Sequence, residues 1–515
     1  NTRFCYENRT ATCNHESCMM NQLCLSLLVV LAANTIFADE PAWQFTDVTV
    51  KVIDQNPPGI GPIFDYALLD LNDDNRLDIV VNNHHRSKPA PIWLGTVDHT
   101  FKFWQNMPEA NMPIAGFFLG EVDLNGDGRT DVVYTGNEGG VVVNLNTSPK
   151  GTHKPTYKPI ALHQSSYLVA FADFDGDGRL EALVRPGQML DSTLTKVLQS
   201  DLHFGNSTIS DFNEDGWPDL FACGLNGRRK HWNGPRRLFK NNQGKLTAVR
   251  ADSLLVTAHL EGIVRSGDFN NDGHMDLYIF DSKPTDPREA DKNHFMRLYL
   301  GNGKFGFTDV TEQAGIAASK VRSGYSMVYL ADINNDTHLD IVNQGNYGCQ
   351  VWKNNGKASF SVVSRDEVPW AVGAHMRLDD YDMDGRLDVI TAAAGPGWKD
   401  RPTTIRVFRN EINNGHHWLK IQLRQSDSNT MAVGASVTIY KSGTTTILGK
   451  RLVMSDTTGY HPRLHFGLAK HQRVDVEVRF PASGNIVRFP GVQANRYVVL
   501  RPDGSVTDVK FGDRK

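Results

Sequence analysis

The chain has 515 residues, of which 40% are hydrophobic and 22% charged, and its formal net charge is −4. This is an ordinary globular mix able to bury a core, and the lack of a basic excess excludes a nucleic-acid footprint. The length exceeds that of one ordinary domain.

In chain order, the first distinctive segment is apolar and runs from Met20 to Ala38, ahead of acidic Asp39 and Glu40. A short apolar stretch ending in a small residue reads as a secretory signal peptide over about 20–38, within a leader spanning 1–38. It is shorter than the roughly 20 apolar residues that cross a bilayer, so no transmembrane anchor is expected. Cys5, Cys13, Cys18 and Cys24 fall in this leader, leaving Cys223 and Cys349 in the remainder. Two cysteines do not make a disulfide scaffold, so an exported chain needs another stabilising device.

A nine-residue pattern supplies one. It places an acid or amide at positions 1, 3 and 5, usually glycine at 6, and an acid at 9, and it recurs seven times. The ligand-type residues are Asp70, Asn72, Asp74 and Asp78 in the first copy and Asp123, Asn125, Asp127 and Asp131 in the second. The third and fourth hold Asp173, Asp175, Asp177 and Glu181, then Asp211, Asn213, Asp215 and Asp219. The last three hold Asp268, Asn270, Asp272 and Asp276; Asp332, Asn334, Asp336 and Asp340; and Asp380, Asp382, Asp384 and Asp388. Successive first aspartates stand 53, 50, 38, 57, 64 and 48 residues apart. Such periods are those of propeller blades made of four short strands.

Short β-branched runs flank each copy, as in Ser326–Ala331 before the sixth and Asp131–Tyr134 after the second, and these predict strands. A third strand is expected over Arg297–Leu300 and Ile405–Phe408. The string Phe307-Thr-Asp-Val-Thr311 follows the fifth unit's third strand, and the identical Phe45-Thr-Asp-Val-Thr49 precedes every loop. The seventh unit lacks an outer strand, so residues 45–50 are expected to supply it and close a ring.

The loops suit calcium, a hard cation taking six to eight oxygen ligands. Side chains at 1, 3 and 5 of a tight loop converge, position 9 closes the far side, and glycine at 6 permits the turn. No His or Cys stands at these positions, which disfavours zinc and copper. The EF-hand pattern fails for want of a glutamate at position 12 and flanking helices. Asn75 and Thr337 replace glycine, and Glu181 is longer than aspartate, so the first, sixth and third copies depart furthest from the pattern.

These loops resemble those of FG-GAP/VCBS repeats, the blade type of integrin α-subunit propellers, over roughly residues 45–410. The resemblance implies that each loop joins an innermost strand to the next and that up to seven Ca²⁺ ions are structural. The fold expected is all-β: a seven-bladed β-propeller with calcium loops over 39–412, followed by a small all-β domain over 413–515.

In that last segment, alternating apolar residues predict strands over 418–423, 433–440, 464–468 and 474–480, with a further segment over 491–495. It resembles an ASPIC/UnbV domain of cartilage acidic protein-like sequences; the family's Trp-Pro-Ser-Gly appears as Phe480-Pro-Ala-Ser-Gly484.

On a propeller, the face opposite the metal loops carries the remaining connections. His163, His203, His259, Tyr325 and His375 approach its funnel on one side of each inner strand. His84-His85-Arg86, Glu138, Arg185, Arg228-Arg229, Asp281 and Asn346 come from the other connections. Imidazoles, guanidiniums and carboxylates around one funnel suit an acidic sugar or acid–base work. No P-loop, dinucleotide fingerprint, His-Glu-x-x-His or Gly-x-Ser-x-Gly motif is present. Three readings follow: a secreted, periplasmic or envelope binding module for a protein or glycan, a carbohydrate-active lyase or dehydratase, and a structural surface module. A sequon at Asn335-Asp-Thr337 lies inside the sixth loop, where a glycan would obstruct metal binding.

Overall fold

The computed structural model describes residues 42–511 other than 55–62, 84–90, 107–115, 137–139, 150–154, 163–167, 186, 203–204, 224–235, 250–261, 282–295, 317–326, 346–347, 365, 371–374, 393–403, 427, 457–461 and 482–483. The expected leader lies outside the described residues. From Trp43 onward the chain forms one unit. Among the described residues it is β throughout, with one helix, Thr49–Val52, and no helix long and apolar enough to cross a membrane.

Nine sheets are present among the described residues. The first comprises Ile63–Leu69, Asp78–Asn83, Pro91–Gly95 and Phe101–Asn106; the second, Gly116–Val122, Asp131–Gly136, Gly140–Asn146 and Tyr157–Leu162. The third holds Leu168–Ala172, Glu181–Val184, Gln188–Leu190 and Val197–Gln199, and the fourth Ser207–Ser210, Asp219–Ala222, Arg237–Asn242 and Lys245–Val249. Gly262–Gly267, Asp276–Asp281, Met296–Gly301 and Phe307–Asp309 make the fifth. The sixth is Met327–Ala331, Asp340–Gly345, Gly348–Asn354 and Phe360–Val362. In the seventh, Met376–Asp379, Asp388–Ala392 and Ile405–Asn410 are completed by Phe45–Asp47. All seven are antiparallel, and each nine-residue loop joins the first strand to the second.

Second strands such as Ile79-Val80-Val81 are buried on both faces, which explains their continuous apolar runs. Each is covered because neighbouring sheets share cores. The first and second meet through Leu69, Val80 and Tyr134, and the third and fourth through Phe174, Leu183 and Phe239. Phe221 and Ile279 join fourth to fifth, Phe280 and Ile341 fifth to sixth, and Val342 and Val389 sixth to seventh. The seventh meets the first through Ile390, Val407, Tyr66 and Ile79. The second and third share a core that continues into the C-terminal sheets.

The two identical pentamers behave alike. Phe45, Thr46 and Asp47 pair with Asn410, Arg409 and Phe408, as Phe307–Asp309 pairs with Tyr299–Gly301. In each, the aspartate accepts from the backbone N–H and hydroxyl of the following threonine, at 3.0 and 2.6 Å. That threonine oxygen then accepts from the third strand, from the N–H of Val407 and of Leu298. The turn ends the strand at Asp47, so the expected strand over 45–50 is three residues long and a helical turn follows.

The two C-terminal sheets place His417–Leu423 between Arg463–Ala469 and Arg496–Leu500, the last pairing in parallel, and Ser436–Lys441 between Ile447–Leu452 and Arg473–Arg479. Val506–Asp508 and Ile486–Gln493 complete them. The apolar run Val433–Ala435, expected as strand, is instead a buried turn in which Asn429 Oδ1 accepts from Val433 N at 2.8 Å. A short strand, Ser455–Asp456, leaves this region and pairs with Phe171 and Ala170 on the free edge of the third sheet.

Candidate metal centres and the face that carries them

All seven loops share one backbone path. Position 4 takes a positive φ whatever its side chain, from Asp73 (64°) to Met383 (61°), and so does position 6. At position 6, glycine is the cheap solution, but Asn75 (65°) and Thr337 (84°) adopt the same conformation. A β-branched residue there is strained.

The acids hold this path. The position-1 carboxylate accepts from the position-6 N–H in every loop, for example Asn75 N to Asp70 Oδ2 at 2.7 Å and Gly385 N to Asp380 Oδ2 at 2.9 Å. The position-5 carboxylate accepts from the N–H of position 7 in all seven. The position-9 acid opens the second strand and accepts from the N–H of position 2, as Asp78 does from Leu71 at 2.9 Å. Its other oxygen takes an N–H of the third strand in six loops, such as Asn354 N to Asp340 Oδ1 at 2.9 Å.

In the third and seventh loops, Asp173, Asp175 and Glu181, and Asp380, Asp382 and Asp388, bring one oxygen each to within 4.8 Å of one another. Burial pushes the carboxyls up, and neighbouring carboxylates add to the rise: Asp70 and Asp380 to about 7, Glu181 and Asp219 to about 8. Asp332 and Asp340 are raised well above the ordinary aspartate range for the same reasons. Convergent carboxylate oxygens of this kind are a donor set for a hard divalent ion, although in the seventh loop Arg409 Nε also pairs with Asp382 Oδ2 at 2.9 Å. The buried Asn334 Oδ1, at position 3 of the sixth loop, has no hydrogen-bond partner, which fits the same reading.

The loop face is covered by the C-terminal sheets. Lys420 Nζ donates to Asp379 Oδ1 at 2.6 Å, beside Asp380, and the Arg463 guanidinium pairs with Glu121, whose carboxylate also accepts from Asp70 N at 2.6 Å. Both pairs are almost fully buried. The Thr430 hydroxyl bonds Asp123, Lys450 Nζ reaches Gly273 O at 2.8 Å, and Asn75 Nδ2 donates to Lys510 O at 2.8 Å. Asn335 of the sequon is buried, its Nδ2 donating to Gly385 O at 2.8 Å, which leaves no room for a glycan in the folded chain.

Of the funnel candidates, His163, His203, His259 and Tyr325 lie outside the described residues, as do His84, His85, Arg86, Glu138, Arg228, Arg229 and Asn346. His375 is described: its side chain is 19% exposed and its Nδ1 is 3.6 Å from Asp65 Oδ1. Asp65 also accepts from Arg377 NH2 at 2.9 Å, and Arg377 NH1 reaches Tyr329 OH at 3.0 Å and lies over the Tyr66 ring. This cluster links the first strands of the sixth, seventh and first sheets. Arg185 NH2 donates to Asn206 Oδ1 at 2.6 Å.

Neither Cys223, in the core between fourth and fifth sheets, nor Cys349, in the sixth, forms a disulfide. Glu121, Asp379, Lys420 and Arg463 escaped sequence reading because none belongs to a repeat or motif. A second set was detectable: a buried asparagine stands at the end of the third strand at Asn146, Asn354 and Asn410, and one residue before it at Asn241. Each donates to the position-2 carbonyl of the preceding loop, at 2.8–3.2 Å. The recurring Lys-Asn-Asn of 240–242 and 353–355 was its signal.

An FG-GAP-like repeat model matches residues 123–184, 211–279 and 332–391, and an ASPIC and UnbV model matches 425–507. Cartilage acidic protein 1 of Mus musculus is 27% identical over 306 residues, covering 54% of this chain and 42% of that protein. Its Homo sapiens counterpart is 28% identical over 275 residues, 48% of this chain and 37% of that protein. The chain therefore spans about two-fifths of the length of these curated relatives. Among solved structures, similarity extends to an N-acetylglucosamine-recognising lectin of Agrocybe aegerita, at 15% identity and TM-score 0.41 over 64% of this chain and 91% of that one. The Nup133 β-propeller domain of Vanderwaltozyma polyspora matches at 11% and 0.36, over 72% and 98%.

Proposed function

Because the chain belongs to the family in which FG-GAP-like repeats precede an ASPIC and UnbV domain, we propose that it is an exported, calcium-binding, seven-bladed β-propeller serving as a binding module for a protein or glycan. The leader is residues 1–38, the propeller 39–412 and the C-terminal domain 413–515. The observation that carries this reading is the uniform loop path, which brings three carboxylate oxygens to within 4.8 Å of one another in the third and seventh loops.

Calcium here is architectural. It offsets the repulsion among the acids and leaves the backbone bonds of positions 1, 5 and 9 intact, so each loop stays docked on the next sheet. The ligand residues are the 28 acids and amides of positions 1, 3, 5 and 9. With the C-terminal domain on the loop face, the opposite mouth of the ring is the surface left for a partner, and His375 is its described histidine.

Calorimetric titration of chelator-treated protein tests the metal reading: saturable uptake of several calcium equivalents is expected, and none would reject it. Retention of the full chain on immobilised glycans or proteins without product formation supports a binding module. Unsaturated products absorbing in the ultraviolet, formed from acidic polysaccharides, would replace it with a lyase.

A further inference from the structure

The seven loops are not equally open. In the third, Asp175 and Asp177 are exposed; in the sixth, Asp332, Asn334, Asn335, Thr337 and Asp340 are all buried. The cover over the sixth comes from the C-terminal domain. Asn414 Nδ2 donates to the Asn334 carbonyl at 2.5 Å, and His416 Nδ1 lies 3.0 Å from the same oxygen. His465 Nε2 meets Asn335 Oδ1 at 2.7 Å, and Ala469 N donates to Asn335 O at 2.8 Å. Gly467 passes so near that a Cβ built on it would stand 2.2 Å from Asp332 Oδ2 and 2.3 Å from Asn335 Cα.

Beneath this cover the sixth loop keeps an acceptor unused. Asn334 Nδ2 donates to Asp336 Oδ2 at 2.8 Å, while Asn334 Oδ1 has no hydrogen-bond partner and the residue is 2% exposed. In the second, fourth and fifth loops the equivalent amide oxygen accepts from the position-5 N–H. A buried oxygen left unpaired destabilises the fold unless an ion or donor meets it. Thr337, strained at φ 84° and buried, is held in the same loop.

We infer that the C-terminal domain occludes a calcium ion held by Asp332, Asn334, Asp336 and Asp340, so that this ion exchanges only when the domain lifts from the loop. The third loop, open to solvent, exchanges its ion freely. The inference rests on the calcium reading above and adds a division of the sites into locked and open classes. Exchange through a packed interface requires local opening, whose rate is set by the contacts that must break.

The test uses the full chain, loaded with calcium and freed of excess, with bound ions counted before rapid mixing with a fluorescent chelator. Release is expected in a fast phase and a slow one. Gly467→Ala drives a methyl group into the loop and speeds the slow phase about tenfold or more. His465→Ala, which removes one contact without a clash, shifts it in the same direction and covers the case in which the alanine at 467 impairs folding. Asp336→Asn removes slow amplitude and spares the fast phase, whereas Asp175→Asn does the reverse. Single-phase release from a protein that holds calcium, or a slow phase untouched by both cover variants, overturns occlusion and leaves calcium binding standing. A protein that holds no calcium overturns the calcium reading and occlusion with it.

Discussion

The side chain of Asn354 donates to the carbonyl of Phe269 at 2.8 Å, tying the third strand of the sixth sheet to the loop of the fifth. The same amide donates to Leu339 O at 3.1 Å, and its oxygen accepts from Gly356 N at 3.0 Å. One asparagine thus satisfies a carbonyl across the boundary between neighbouring sheets and a carbonyl and an N–H on its own side of it.

Asn354→Ala leaves those groups buried and unpaired, and each such loss costs about 1–3 kcal/mol. Urea denaturation should show a lower midpoint for this variant, and Asn241→Ala should behave alike at the boundary between third and fourth sheets. An unchanged midpoint in both would show that the asparagines are not joints.

Arg463 and Glu121 form an almost fully buried pair between the C-terminal domain and the second sheet. Removing one partner strands a buried charge, so Arg463→Met should destabilise the chain by about 3–5 kcal/mol. Adding Glu121→Gln should return part of that loss in a double-mutant cycle. Additive effects would mean the two charges do not depend on each other.

Thr337 occupies a left-handed position that six other loops fill with glycine or asparagine. Thr337→Gly should relieve strain and raise stability by about 1 kcal/mol, read as a higher urea midpoint in calcium. A fall would mean that contacts of the threonine side chain outweigh its backbone conformation.

Acidity should act in an unusual direction on the metal-free protein. Burial raises Asp70 and Asp131 to about 7 and Glu181 and Asp219 to about 8, above the values these groups hold in an unfolded chain. The folded state therefore binds more protons, and the stability these groups confer is full below about pH 4 and lost as pH rises towards 8. In chelator, the denaturation midpoint should fall across that window. Calcium should flatten the fall by compensating the same charges.

Much of this was legible in the sequence because the loops are local. Positions 1 to 9 of each loop lie within nine residues, and the bonds that set the loop path, from the N–H groups of positions 2, 6 and 7 to the acids at 9, 1 and 5, stay inside it. The outer strand from Phe45 was legible for another reason: an identical string elsewhere already carried its pairing. The exchange of Thr49 and Thr311 bonds shows that the likeness extends to hydrogen bonding. The cover over the loop face was not legible. Lys420, Arg463, His465 and Gly467 meet acids and loops more than 40 residues away in the chain, without motif or periodicity. Thr337 shows a third limit, since tertiary cover sustains a backbone conformation that its own side chain disfavours.

Thermal melting with and without a chelator is the sharpest test of calcium as the ion that holds the loops. Binding to the folded state alone must raise the midpoint, and the rise must grow with calcium concentration. The expected result is well-separated curves that converge again when calcium is restored to the chelated sample. Coincident curves at every calcium concentration, from protein whose elemental analysis finds no bound calcium, would contradict it.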